Sequence, residues 1–216
     1  MKIAILGGTG PLGKGLGLRF ALAGHEVRLG SRGADRAEAA AAELHPRLDA
    51  PERFTGGGNA EVVDGADVVV LSVPYEGQVE LLDSLGEALR GQLLVSCVNP
   101  LGFDAAGPHA LHVPEGSAAE QAALALPETT VVAAFHHISA PGLLEEGDIH
   151  DESVLVCGND ADAKATVIEL SSAVAARGGV DAGPLRNAQQ IEAMTAVLIS
   201  INKTYKTRSG IAVAGV

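Results

Sequence analysis

The sequence predicts an α/β protein, an open, doubly wound, mainly parallel sheet with a small C-terminal helical and α+β extension. Three observations carry this. Short apolar runs alternate with helix-period segments of about 10–15 residues, the pattern of strand–helix–strand units. Glycines gather at the first strand-to-helix turn. A length of 216 residues suits one domain with a modest appendage.

The elements follow in order. Residues 3–6 form an apolar run ended by glycines, and Leu12, Leu16, Phe20 and Leu22 then recur at helical spacing until Gly24 and His25. Residues 27–29 make a second strand. Ala34–Leu44 is an alanine-rich helix that stops before Pro46. The stretch 46–59, with Gly56, Gly57 and Gly58, reads as loop, holding at most a short strand at 53–55. Residues 68–73 are a continuous apolar run of the buried-strand type, closed by Pro74. A helix over Gln78–Leu89 and a strand over 93–98 follow, and the Pro- and Gly-punctuated stretch 99–115 reads as loop.

Ser117 and Glu120 have capping-box spacing and open a helix reaching Leu126. Residues 130–135 and 154–157 are further strands. A helix over 160–177 is stopped by Gly178 and Gly179. A last helix covers 187–205, with Asn187 as cap and Gln190 three residues on. The domain division expected is 1–150 and 151–216.

Composition narrows the function classes. The apolar share of 47% is ample for a core, and the charged share of 19% lies below the usual ~25%. With 36 Ala, 27 Gly, six aromatics and no Trp, packing must rely on close approach of small side chains. A net charge of −12 argues against nucleic acid as a partner and against anionic membrane surfaces. No apolar run approaches the ~18–20 residues of a spanning helix, so no membrane partner is expected. The chain opens directly into a strand without a signal-peptide pattern, which predicts a cytoplasmic protein. Cys97 and Cys157 lie within apolar runs and read as reduced core thiols.

No metal site is expected. His109 and His112 have the closest spacing to a ligand pair, but no third ligand is near. Glu145, Glu146 and Asp148 read as a solvated acidic turn, and no nucleophile-elbow motif supports a hydrolase.

Chemistry concentrates at the first turn. Gly8-Thr9-Gly10-Pro11-Leu12-Gly13 is a G-x-G-x-x-G between a strand and a helix, the context a Rossmann-type dinucleotide site requires. Gly8 is expected to allow the tight turn, Gly10 to let the backbone approach a diphosphate, and Gly13 to let helix and strand pack. The helix N-terminus adds free N–H groups and partial positive charge, and Pro11 suits the first turn.

The end of the second strand selects the nucleotide. An acidic residue there would hold a ribose 2′-hydroxyl, whereas this chain carries Ser31 and Arg32, with Arg36 one turn later. A hydroxyl and two guanidinium groups suit a 2′-phosphate, so NADP is predicted over NAD. Val73 with Pro74, and Asn99 with Pro100, end later strands and should line the nicotinamide side of the crevice.

Residues 3–32 closely resemble the NADPH-dependent reductases of the deazaflavin coenzyme F420. The likeness continues through Ala66-Asp67-Val68, Pro74-Tyr75-Glu76, Ser117-Ala118-Ala119-Glu120, Phe135-His136-His137-Ile138 and Asp181-Ala182-Gly183-Pro184-Leu185. The resemblance implies hydride exchange between nicotinamide carbon 4 and deazaflavin carbon 5, with F420 as substrate. It implies that Thr9 to Leu12, Ser31, Arg32 and Arg36 hold NADP, and that Val73 and Asn99 flank the nicotinamide. It sets His136, Ile138 and Ala140 against the deazaflavin and the nicotinamide edge, with residues 209–211, including Ser209, touching the deazaflavin.

His136 and Ile138 are the candidate catalytic residues, a hydrogen-bond donor and an apolar wall. The family pattern has a small polar residue where this chain has His137 and an apolar one at Ser209, which leaves two alternatives, His136 and His137, for the imidazole that faces the ligand. Arg186, Lys203, Lys206 and Arg208 outnumber Glu192 in the last segment, a basic stretch suited to an anionic coenzyme tail. Two other readings stay open: an NADPH-dependent reductase of another acceptor, flavin or metal, and a non-catalytic NADP(H) sensor. The apolar positions Ile191, Met194, Val197, Leu198 and Ile201 of the last helix predict a homodimer.

Overall fold

The computed structural model describes residues 1–145, 147 and 149–216. Of the predicted acidic turn, Glu146 and Asp148 therefore lie outside the described residues. Five strands alternate with helices through the first half: β1 (Lys2–Leu6), α1 (Pro11–Leu22), β2 (Glu26–Ser31), α2 (Ala34–Leu44), β3 (Phe54–Gly58), α3 (Asn59–Val63), β4 (Val68–Leu71), α4 (Gln78–Leu89) and β5 (Leu93–Ser96). A small hairpin of β6 (Leu101–Asp104) and β7 (Gly107–Ala110) follows, then α5 (Ala118–Ala125), β8 (Thr130–Ala133) and the short α6 (Ala140–Leu143). The chain closes with β9 (Val154–Gly158), α7 (Ala161–Ser171), β10 (Gly179–Asp181) and α8 (Ala188–Tyr205).

One eight-stranded sheet, in the order β10-β9-β8-β5-β4-β1-β2-β3, carries the fold. Its pairings are parallel except β8 with β9. The order reverses between β1 and β4, which creates the crevice where open α/β sheets bind ligands. The fold predicted from the sequence is thus the fold observed.

Both faces of the sheet are covered. Ile3 and Ile5 of β1 and Val68 and Val70 of β4 point to the α1, α2 and α7 side, packing with Leu16, Phe20 and Leu44. Ala4, Leu6, Val69 and Leu71 point the other way, onto Leu82, Leu85, Ala119 and Ile191. Period-two alternation with apolar residues on both faces explains the uninterrupted apolar runs.

Several boundaries differ from the sequence reading. The Gly56-Gly57-Gly58 run is strand β3, because α2 lies directly on it: a Cβ at Gly56 would stand 2.1 Å from the Ala37 carbonyl carbon. The stretch after β5 is not all loop but includes the β6–β7 hairpin, paired Leu101 to Ala110. Helix α7 ends at Ser171 rather than Arg177. Ala176 and Arg177 instead donate their N–H groups to the carbonyls of His150 and Glu152. Asn187 does not cap α8 with its side chain, which donates to the Ala182 carbonyl at 2.8 Å. The Ser117 cap holds, its Oγ accepting from Glu120 N–H at 3.0 Å.

Candidate active site

The crevice is built by register. Leu6, Leu71, Ser96 and Ala133 stand in one row across β1, β4, β5 and β8. Main-chain bonds carry the row one residue further, from Ser72 N–H to Leu6 O (2.9 Å), Cys97 N–H to Leu71 O (3.0 Å) and Ala134 N–H to Ser96 O (3.1 Å). The residues just beyond therefore emerge along a single edge: the glycine loop after β1, Val73 and Pro74 after β4, Asn99 after β5, and His136 after β8.

Within the loop, Gly7 rather than Gly8 carries the turn. Gly7 has φ +76°, and a Cβ there would stand 2.3 Å from Ser72 O and 2.8 Å from Val73 Cγ1. Gly8 is needed for packing on β2, since its Cβ would lie 2.9 Å from Leu29 Cα, while its N–H bonds Gly30 O at 3.0 Å. Gly13 meets the expectation for helix–strand packing, with Gly7 O only 2.7 Å from a Cβ there. Gly10 caps α1 in an extended conformation, and Pro11 occupies the first turn. No acidic residue lies in that turn, so the free N–H groups and dipole of α1 face an anion without competition.

At the end of β2, Ser31 is buried while Arg32 and Arg36 are exposed. Neither guanidinium forms an ion pair among the described residues. Asn59, at the start of α3, adds a group the sequence reading missed. Its buried Oδ1 has no partner among the described residues and stands 2.8 Å from where a Cβ on Gly30 would be. The donor set thus fits NADP: N–H groups for a diphosphate, two cations and a hydroxyl for a 2′-phosphate, and an acceptor for a ribose hydroxyl.

On the other side of the crevice the chain is clamped. Phe135 takes φ 65°, a left-handed conformation that an aromatic residue rarely adopts. The next carbonyl, of His136, accepts from Asn99 Nδ2 at 3.0 Å and from Thr195 Oγ1 at 3.1 Å. The His136 side chain is fully buried, with neither ring nitrogen hydrogen-bonded among the described residues. Burial, helped by the neighbouring His137, pushes its pKa down to about 3. His137, also buried, is pushed down to about 4, and its Nε2 accepts from Leu155 N–H at 3.2 Å. Both imidazoles are neutral at pH 7; His137 is tied to β9 through Nε2 and leaves only its Nδ1 without a partner among the described residues, whereas His136 leaves both nitrogens so.

Glu192 of α8, counted in the sequence only as the acid among the basic residues of the last segment, was missed as a site residue. It is 2% exposed. Its carboxylate accepts from the N–H groups of Ala118 (2.8 Å) and Ala119 (3.1 Å), and Oε1 stands 3.9 Å from His136 Nε2. The spacing Ala188, Glu192, Ala196, with small residues flanking the acid, is the signal that this face turns inward. A cavity of about 420 Å³ opens beside it, lined by Pro100, His112, Val113, Gly116, Gln189 and Glu192 among others.

The remaining predicted residues sit around this centre. Ile138 is buried with the core cluster that includes Leu16 and Leu143. Ala140 opens α6, which packs on α1 at Gly15. Ser209 donates its N–H to Asn202 Oδ1 at 2.6 Å, and the tail beyond it is joined to the start of β9 by Ser153 N–H to Ile211 O at 2.7 Å. The basic C-terminal stretch is not one patch. Arg186 precedes α8 while Lys203, Lys206 and Arg208 lie at its far end, roughly 25 Å away at 1.5 Å per residue, and Arg208 pairs with Glu145. Of the positions read as a dimer seam, Ile191 and Leu198 are buried within the subunit, whereas Val197 is 57% exposed. Among the described residues there is no cluster of metal-binding side chains, and no helix is long and apolar enough to cross a membrane.

Comparison with known proteins identifies relatives of the chain. The family described as NADP oxidoreductase, coenzyme F420-dependent, matches residues 2–100. The F420-dependent NADP reductase of Methanothermobacter marburgensis is 39% identical over 97% of this chain and 96% of its own length. That of Methanocaldococcus jannaschii is 37% identical over 96% of this chain and 95% of its own. A candidate F420-dependent NADP reductase from Arthrobacter sp. FB24, known as a crystal structure, superposes with a TM-score of 0.82 at 31% identity, covering 99% of each chain. With this crevice, this nucleotide-selecting strand end and these relatives, the chain belongs to the family of coenzyme F420-dependent NADP oxidoreductases.

Proposed function

We propose that the protein transfers hydride between NADP(H) and coenzyme F420, with the oxidised or reduced deazaflavin as its substrate. The observation that carries this is the single edge along which the glycine loop, Val73, Asn99 and His136 emerge together.

Gly8, Thr9, Gly10, Leu12 and Gly13, at the start of α1, hold the diphosphate, and Pro11 leaves that turn no unneeded donor. Ser31, Arg32 and Arg36 hold the 2′-phosphate. Val73, Pro74 and Asn99 flank the nicotinamide. When bound, the nucleotide supplies or accepts a hydride at carbon 4, and no protein nucleophile is needed. The chain's task is to stack two flat rings and keep water out. Ile138 forms an apolar wall, Ala140 and the Ser209 segment border the deazaflavin, and the neutral His136 imidazole donates a hydrogen bond to the ring system as charge develops there.

Residues 1–150 hold the nucleotide and residues 151–216 complete the deazaflavin side. A homodimer in the cytoplasm is the setting this reading implies, with Val197 and its neighbours on α8 as the contact. The test is direct: mix the protein with NADPH and oxidised F420 and follow the deazaflavin's visible absorption. Bleaching at catalytic protein concentration supports the reading, and an unchanged band with NADPH bound would favour a sensor.

A further inference from the structure

Glu192 joins three parts of the molecule. It stands on α8, its carboxylate caps the N-terminus of α5 through Ala118 and Ala119, and its Oε1 faces His136 Nε2 at 3.9 Å. Its other side borders the cavity of about 420 Å³. One turn further along α8, Thr195 holds the His136 carbonyl, so a single helix face bonds residue 136 at the main chain and approaches its side chain.

We propose that Glu192 is a positioning residue that works through His136, holding the proton that accompanies hydride transfer and exchanging it with the cavity. The proposal rests on the hydride-exchange reading above. Reducing a deazaflavin requires a hydride at carbon 5 and a proton at a ring nitrogen, and a dihydronicotinamide delivers only the first. As its C4–H bond breaks, the electron pair forms the new bond at carbon 5, so the nicotinamide is oxidised and the deazaflavin reduced. The proton leaves one ring nitrogen of His136, the other nitrogen takes a proton from the Glu192 carboxyl, and water in the cavity restores it. The reverse reaction uses the same path backwards.

The surroundings suit this. A neutral imidazole relays by accepting at one nitrogen while releasing from the other, and both nitrogens of His136 are unpaired among the described residues. Burial pushes the Glu192 pKa up to about 7, against the pull of the two N–H groups and with help from Glu120. The ionisable groups around it are His136 with His137 behind it at the end of β8, Glu120 on α5, Cys157 on β9, and His112 across the cavity. The 3.9 Å gap must close by about 1 Å for direct transfer, the tightening expected between a free and a loaded site.

Infrared spectra of the ligand-free protein, taken across neutral pH, test the proton directly. Wild type should show a protonated-carboxyl band that fades near pH 7, part of which is missing in Glu192→Gln and retained in Glu152→Gln. In the coenzyme assay, Glu192→Gln should lower kcat about 100-fold and remove the neutral inflection of the pH profile. Ser117→Ala, which weakens the α5 cap without touching this carboxylate, should keep that inflection. Absence of a Glu192-dependent band, or a Glu192→Gln pH profile identical to wild type, overturns the proposal while hydride exchange stands. Wild-type protein that shows the band but does not bleach the coenzyme overturns the hydride reading and this proposal with it.

Discussion

Thr195 Oγ1 lies 3.1 Å from the main-chain carbonyl of His136 and so ties the last helix to the end of β8. The same hydroxyl is 3.2 Å from Asn99 Oδ1, and Asn99 Nδ2 donates to that same carbonyl. The three residues hold a turn that begins with the left-handed Phe135. Replacing the hydroxyl with a methyl group of similar size leaves the carbonyl one remaining donor. Thr195→Val should therefore destabilise the protein by about 1 kcal/mol, while Thr195→Ser should lose little. Urea unfolding of the two variants measures the difference.

Nucleotide choice is set at the end of β2. Arg32→Ala should weaken NADP binding by roughly 10- to 100-fold, the loss of one charge-assisted contact, and leave NAD binding nearly unchanged. Titration calorimetry with the two nucleotides checks this. Equal losses for both would mean that Arg32 does not contact the 2′-phosphate.

Glycines in similar-looking stretches should respond differently. A Cβ at Gly56 would stand 2.1 Å from Ala37 C and 2.2 Å from its carbonyl oxygen, with no flexible atom to move aside. Gly56→Ala should force α2 off the sheet at a cost of about 2–3 kcal/mol. Gly33 has only Arg36 Cδ nearby, at 3.9 Å, so Gly33→Ala should fall within about 0.5 kcal/mol of wild type. Thermal melts of the pair settle the contrast.

Buried acids and buried histidines oppose each other in the pH dependence of stability. Burial pushes Glu152 and Glu192 up to about 7, so each binds its proton more tightly when folded, and its contribution is lost as pH rises toward 7. His136 and His137, held down to about 3 and 4, stay neutral when folded, and their contribution is lost as pH falls below the unfolded value of 6.5. His25, also lowered by burial, adds to the histidine side. Between about pH 4.5 and 6.5 the two pairs nearly cancel, and the stability curve should be shallow. Glu152→Gln removes one acid and should expose a rise in stability with pH across that window, seen as a climbing melting temperature. A flat profile in the variant would show that Glu152 does not titrate there.

Much of the architecture was readable from the chain because each signal was local. Ile3 to Leu6 followed by the glycine loop, and Ser31 followed by Arg32, announce strand, turn and nucleotide type within a few residues of one another. What escaped reading depends on distant partners. The Gly56 to Gly58 run looks like loop until α2 is laid upon it. The β6–β7 hairpin has no apolar alternation of its own and is closed by Asp104 Oδ1 accepting from Ala106 and Gly107 N–H. Glu192 becomes informative only once α5 and His136 stand beside it, and Asn59 only once Gly30 does. Gly8 was credited with a backbone role that belongs to Gly7, since sequence spacing does not report φ.

The bond from Ser153 N–H to Ile211 O has a practical consequence for anyone handling this protein. Residues near Val216 are surface-exposed and look like a convenient place for a purification handle, yet the strand of backbone leading to them is stapled beside the rim of the crevice. A bulky fusion there would tug on that staple, so affinity tags belong at Met1, at the opposite end of the sheet.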